Sequence, residues 1–182
     1  MKCWTRLLRV VGVLCSLVLM SQAGNAEKRA FVTGINTYDK WAKLRTAVND
    51  ANAVAELLQT SGFAVTRAID PTYEQFDKEW REFLTSLQTG DLVIVYFAGH
   101  GFQIDSANYL VVRDTPKADA GENALIPAAI NFHELMQQLQ ERQPAKTIYI
   151  LDACRTSPLE GKSASASVGQ LRGFALGQEV DG

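Results

Sequence analysis

The chain has 182 residues, is 47% hydrophobic and carries 18 basic against 20 acidic side chains. This length and apolar content suit one domain with a buried core, and the near-even charge offers no basic footprint for nucleic acid. Two histidines and three cysteines without ligand spacing argue against a metal centre.

Residues 1–26 read as a secretory signal peptide. Lys2, Arg6 and Arg9 open the segment, an apolar run follows from Val10 to Met20, and Ser21 to Ala26 ends in small residues. The run is short for a membrane span, and no other run approaches that length. Residues 27–182 then form the domain, secreted or periplasmic, with no stable membrane insertion. Removing three of 18 basic residues leaves 15 against 20 acids, a net charge of −5. It also removes Cys3 and Cys15, so Cys154 remains without an internal disulfide partner in a compartment where cysteines usually pair.

Strand and helix signals alternate along the domain. Ala30 to Ile35 reads as a buried strand. Val48, Ala51, Val54, Ala55 and Leu58 recur at helical spacing, and Gly62 is a natural stop. Phe63 to Ile69 is a second strand. Thr72 and Gln75 make a capping box before a helical stripe of Phe76, Trp80, Phe83, Leu84 and Leu87. Leu92 to Phe97 is an apolar strand, Tyr109 to Val112 a short hairpin strand, and 113–127 a long polar connection. Asn131 and Glu134 cap a helix bearing Leu135, Met136 and Leu139, and Thr147 to Leu151 is the next buried strand. Residues 156–173, rich in Ser, Ala and Gly, read as a mobile loop. Wholly apolar strands separated by amphipathic helices predict an α/β fold, a mostly parallel central sheet with helices on both faces.

In such a sheet, ligands sit beyond the carboxyl ends of the strands. His100, flanked by Gly99 and Gly101, falls just past one core strand, and Cys154 just past another. A thiolate is the reactive form of cysteine and an imidazole can generate it, so His100 and Cys154 are a candidate base and nucleophile. The amide N–H groups of Gly101 and Cys154 are candidate oxyanion donors. His133, early in a helix beside Glu134, reads as a solvated or packing residue. The glycines around His100 form neither a dinucleotide-binding turn nor a phosphate loop.

Asp152-Ala153-Cys154-Arg155, with His100 fifty-four positions upstream, resembles the caspase-like cysteine peptidases, and more closely their metacaspase and prokaryotic branch. Arg29 to Tyr38 and Leu44 to Ala51 are similar to the same family. The resemblance implies a caspase-like α/β/α sandwich and an endopeptidase in which Cys154 attacks a peptide carbonyl with His100 as base. It further implies that Asp50 and Asp152 line the pocket for the residue before the scissile bond as buried carboxylates, so that cleavage follows Arg or Lys. Protein or peptide substrates are the expected partners, with no cofactor. Some relatives need calcium, but Asp114, Asp119 and Glu122 lack calcium-loop spacing. Ala47 and Ala98 depart from the family pattern, where cysteine and serine are often found. Relatives continue past this point with a smaller segment that completes the groove, so the chain reads as truncated at its C-terminus. Lys162 and Arg172 are the basic residues where an activating cleavage could fall. The rival reading is a catalytically silent caspase-like module that binds a partner.

Overall fold

The computed structural model describes the backbone of residues 26–156 and the side chains of residues 26–153. The expected signal peptide lies outside this range except for Ala26. So does the expected loop after Thr156, with Lys162 and Arg172.

The strands are β1 (Lys28–Gly34), β2 (Ala64–Ile69), β3 (Leu92–Ile104), β4 (Ala107–Leu110), β5 (Ile130–Asn131) and β6 (Lys146–Thr156). The helices are α1 (Ala47–Thr60), α2 (Tyr73–Ser86), the single turn α3 (Glu122–Leu125) and α4 (Phe132–Gln140). β1 pairs in parallel with β2 and β3, and β3 in parallel with β6, giving the order β2-β1-β3-β6. β4 then runs antiparallel to β3, and β5 antiparallel to β4. The expected mostly parallel sheet is therefore present, with an antiparallel extension on the same side of β3 as β1.

Alternation along β1 and β3 divides the core into two faces. Phe31, Val93, Val95 and Phe97 face Phe76, Trp80, Phe83 and Leu84 of α2 and Leu135 and Leu139 of α4. Ala30, Val32, Ile94, Tyr96 and Ala98 face Ala47, Ala51, Ala55 and Leu58 of α1. The small residues let α1 lie close. A methyl group added at Gly34 would come within 2.5 Å of the Ala51 side chain and 2.6 Å of the Ala47 carbonyl. On the opposite face Phe31 packs edge-on against Phe76 and Trp80.

The capping box forms as expected: the Thr72 hydroxyl accepts from Gln75 N–H at 3.3 Å, and Thr72 N–H donates to the Gln75 side chain at 3.0 Å. Asn131 caps α4 by accepting from the N–H groups of His133 and Glu134. The connection 113–127 is less plain than expected, since it contains α3 between two 3₁₀ turns.

Asp91 is fully buried at the foot of β3. Its carboxylate accepts from Glu27 N–H at 2.8 Å and Gln88 N–H at 2.9 Å, and its carbonyl accepts from Ala145 N–H. One residue thus ties the entries of β1 and β6 to the turn after α2. Replacing it by Ala orphans two donors, each worth about 1–3 kcal/mol when buried. Asp91→Ala should lower the urea midpoint by the equivalent of about 2–4 kcal/mol with an unchanged m-value.

Candidate active site

The segment between β1 and α1 folds over the upper end of β3. It is pinned at several points. Asn36 N–H and Thr37 N–H both donate to Asp70 Oδ1, at 2.7 and 2.8 Å. Asp39 N–H donates to the Arg113 carbonyl, Trp41 Nε1 to the Pro116 carbonyl, and Leu44 N–H returns to the Asn36 carbonyl. The loop consequently presents Tyr38, Trp41 and Ala42 to His100.

His100 is held from both ends. Its backbone N–H donates to the Tyr38 hydroxyl at 2.9 Å, and its ring Nε2 lies 2.8 Å from the Ala42 carbonyl. A carbonyl oxygen can only accept, so Nε2 carries the proton. In the neutral ring Nδ1 is then the lone-pair nitrogen, the one able to take a proton. Tyr38 and Trp41 flank the ring at centroid distances of 4.8 and 5.7 Å. Burial holds the Tyr38 phenol well above its ordinary range, so it stays neutral and accepts from His100. Gly99 is required by this closeness: a methyl group there would come within 2.7 Å of the Tyr38 hydroxyl and 2.9 Å of the Phe97 ring.

His100 and Cys154 do not lie past their strands, as the sequence suggested, but within them. β1 stops pairing with β3 at Ala98, and β4 takes over at Gly101, so β3 continues through the change of neighbour. β6 follows it on the other side as far as Thr156. His100 therefore sits where β3 changes from a parallel to an antiparallel neighbour. This is the carboxyl end of its parallel part, the end of a parallel sheet where ligands bind. In the β3–β6 register His100 pairs with Cys154, on strands about 4.8 Å apart. The buried Gly101 sits between Leu110 of β4 and Arg155 of β6.

The charges of the two aspartates both bear on the Tyr96 hydroxyl. Asp50 lies in the first turn of α1, and Asp152 pairs with Ala98 across the β3–β6 ladder. Burial raises the Tyr96 phenol above its ordinary range, and the Asp152 and Asp50 carboxylates raise it further. The expectation of buried carboxylates needs correction: Asp152 is exposed and Asp50 half-buried. β6 has no helix over this face among the described residues, which also leaves Ile148 and Ile150 at 40% and 43% exposure. Asp50 makes no side-chain hydrogen bond among the described residues, so it does not cap α1 in that way.

A family model described as the caspase domain, of peptidase class C14, matches residues 27–178. The chain belongs to the caspase domain family. Mucosa-associated lymphoid tissue lymphoma translocation protein 1 of Homo sapiens is 27% identical over 129 residues, which are 71% of this chain and 15% of that protein. Metacaspase-8 of Arabidopsis thaliana is 24% identical over 149 residues, 72% of this chain and 38% of that protein. The chain thus spans well under half the length of these relatives. A crystal structure of protein GSU0716 from Geobacter sulfurreducens superposes with a TM-score of 0.57 at 21% identity, covering 72% of this chain and 52% of that one. At that identity the likeness concerns the fold alone.

Several groups around this caspase-domain site were not singled out from sequence. Tyr38, Trp41 and Tyr96 were visible only as aromatics near motif residues, and Asp70, one residue past the strand that ends at Ile69, carried no signal of its own. Ala47 and Ala98, the departures from the family pattern, are buried together between α1 and β3. His133 is exposed, in keeping with a solvated residue. Asp114 serves α2 by accepting from Tyr73 N–H at 2.8 Å. Among the described residues no group of three His, Cys, Asp or Glu side chains could hold a metal ion, and no helix is long and apolar enough to cross a membrane.

Proposed function

We propose that this caspase-domain protein is a cysteine endopeptidase that cleaves after Arg or Lys. The single observation that carries the reading is the paired register of His100 and Cys154, with the imidazole oriented by the Ala42 carbonyl. In this scheme Nδ1 of His100 takes the Cys154 thiol proton, and the thiolate adds to the peptide carbonyl. Backbone N–H groups of Gly101 and Cys154 stabilise the oxyanion. The imidazolium returns its proton to the leaving amine, giving a thioester, and then deprotonates the water that hydrolyses it. Asp50 and Asp152 bind the cationic side chain next to Tyr96. The chemistry uses no cofactor. A secreted or periplasmic location belongs to the same proposal and rests on the pattern of residues 1–26.

The test is an arginine-directed peptide electrophile applied to the full chain. We expect stoichiometric labelling of the wild type at Cys154 and none of Cys154→Ala. Label retained by Cys154→Ala would remove Cys154 as nucleophile. If the wild type takes up no label and cleaves no peptide, the second reading gains: a silent module docking a partner on the exposed face of Ile148 and Ile150.

A further inference from the structure

We propose that Asp70 is a positioning residue for His100, acting through the loop that carries the Ala42 carbonyl. This inference deepens the peptidase reading and rests on it for its kinetic part only.

Asp70 follows the last residue of β2 and adopts a left-handed backbone, with φ of 47°. Aspartate tolerates that conformation better than most residues. Its own N–H donates to the Gly34 carbonyl at 3.0 Å, which sets it beside the end of β1. One oxygen, Oδ1, then receives both Asn36 N–H and Thr37 N–H. These are charge-assisted bonds to the first residues of the loop. From there the path is short. Thr37 precedes Tyr38, whose hydroxyl accepts from the His100 backbone. Asn36 accepts Leu44 N–H with its carbonyl and Val48 N–H with its side chain, closing the loop and seating it on α1. Ala42, inside that closed loop, supplies the carbonyl that holds the proton on Nε2. Ile35 N–H holds the exit of β1 to the Ala98 carbonyl, and the anchors at Arg113 and Pro116 hold the middle of the loop. Among the described residues Asp70 is the carboxylate that fixes the first loop residues after that exit.

Without the carboxylate, the loop loses the two bonds that set its first residues, and the Ala42 carbonyl is held less firmly against the ring. The tautomer is then free to exchange, and part of the imidazole population presents a protonated Nδ1. That population cannot act as base. Misplacement of a catalytic group by about 1 Å can cost a hundredfold in rate.

The variants are Asp70→Gly, which suits the left-handed backbone but lacks the acceptor, and Asp70→Asn, which keeps Oδ1. The readout is the nitrogen spectrum of the two imidazoles in the full chain, with His133 as the internal control. The wild type should show His100 as the Nε2–H tautomer. Asp70→Gly should show a mixture at His100 with His133 unchanged, and Asp70→Asn should restore the wild-type signature. On an arginine peptide, kcat should fall about ten- to a hundredfold in Asp70→Gly with little change in KM, and recover in Asp70→Asn. A wild-type tautomer in Asp70→Gly would overturn the proposal. So would an Asp70→Asn variant as perturbed as the glycine one. Global unfolding of Asp70→Gly would overturn it too, because the assignment is to the loop and not to the core. A wild type that cleaves nothing would defeat the peptidase reading, while the tautomer comparison would still decide the role of Asp70.

Discussion

His100→Ala should lower kcat/KM for an arginine peptide by about 10³- to 10⁴-fold, with most of the loss in kcat. The size follows from what the ring does. The Ala42 carbonyl fixes one nitrogen as donor, which leaves the other as the nitrogen able to accept a proton. The Tyr38 hydroxyl is close by, but burial keeps its phenol protonated and it already accepts from the His100 backbone. The substitution should barely alter stability, because the ring is half-exposed and its backbone bond to Tyr38 survives. Combining it with Cys154→Ala should cost little more than Cys154→Ala alone, since members of one catalytic unit are not additive. Loss below about tenfold in the single variant would mean that His100 is not the base. Steady-state kinetics at matched melting temperature separate these outcomes.

The sheet was legible where strands are apolar from end to end. The apolar runs in β1, the first half of β3 and β6 are plain in the sequence, and the parallel pairing is as expected. But β6 is not the buried strand the run suggested: Ile148 and Ile150 stay exposed because no helix among the described residues covers that face. The second half of β3 was not legible. Gly99, Gly101 and Gln103 interrupt the run, and the hairpin that continues it turns at Asp105 and Ser106, with φ of 47° and 69°. A two-residue turn with both φ positive is usually announced by Asn-Gly or Asp-Gly, and here no glycine marks it. β5 is only two residues long and carries no pattern at all. The same division holds at the site. His100 and Cys154 could be singled out because their residue types are rare in this chain and each follows an apolar run. The Ala42 carbonyl could not, because a backbone oxygen on an alanine has no sequence signature. Asp70 and Asp91 were passed over for a related reason. Their roles lie in which backbone N–H groups they meet, and those partners come from distant parts of the chain.

The second large effect concerns Asp50 and Asp152. Each neutralised singly to Asn should reduce kcat/KM on an arginine peptide by about 30-fold or more, and the double variant should lose preference for arginine over an uncharged residue. Exposure sets the competing expectation. Asp152 is exposed in the free protein, and an ion pair left open to solvent contributes about 1 kcal/mol at most, or about fivefold. A guanidinium bound beside Tyr96 changes that environment. It would bring its methylene stem over the face that holds Ile150 and Tyr96, and would be enclosed by α1 on one side and β6 on the other. Removing one partner from a charge pair that binding desolvates costs about 2–5 kcal/mol. The two estimates differ enough for kinetics to choose between them. The loss should fall mainly in KM, since both carboxylates meet the ground-state side chain and not the reacting carbonyl. It should also shrink as salt is raised in the wild type, because Asp152 remains near the water boundary. Single variants within fivefold of the wild type would reduce the two aspartates to a solvated rim and leave the preference for basic residues without a structural basis.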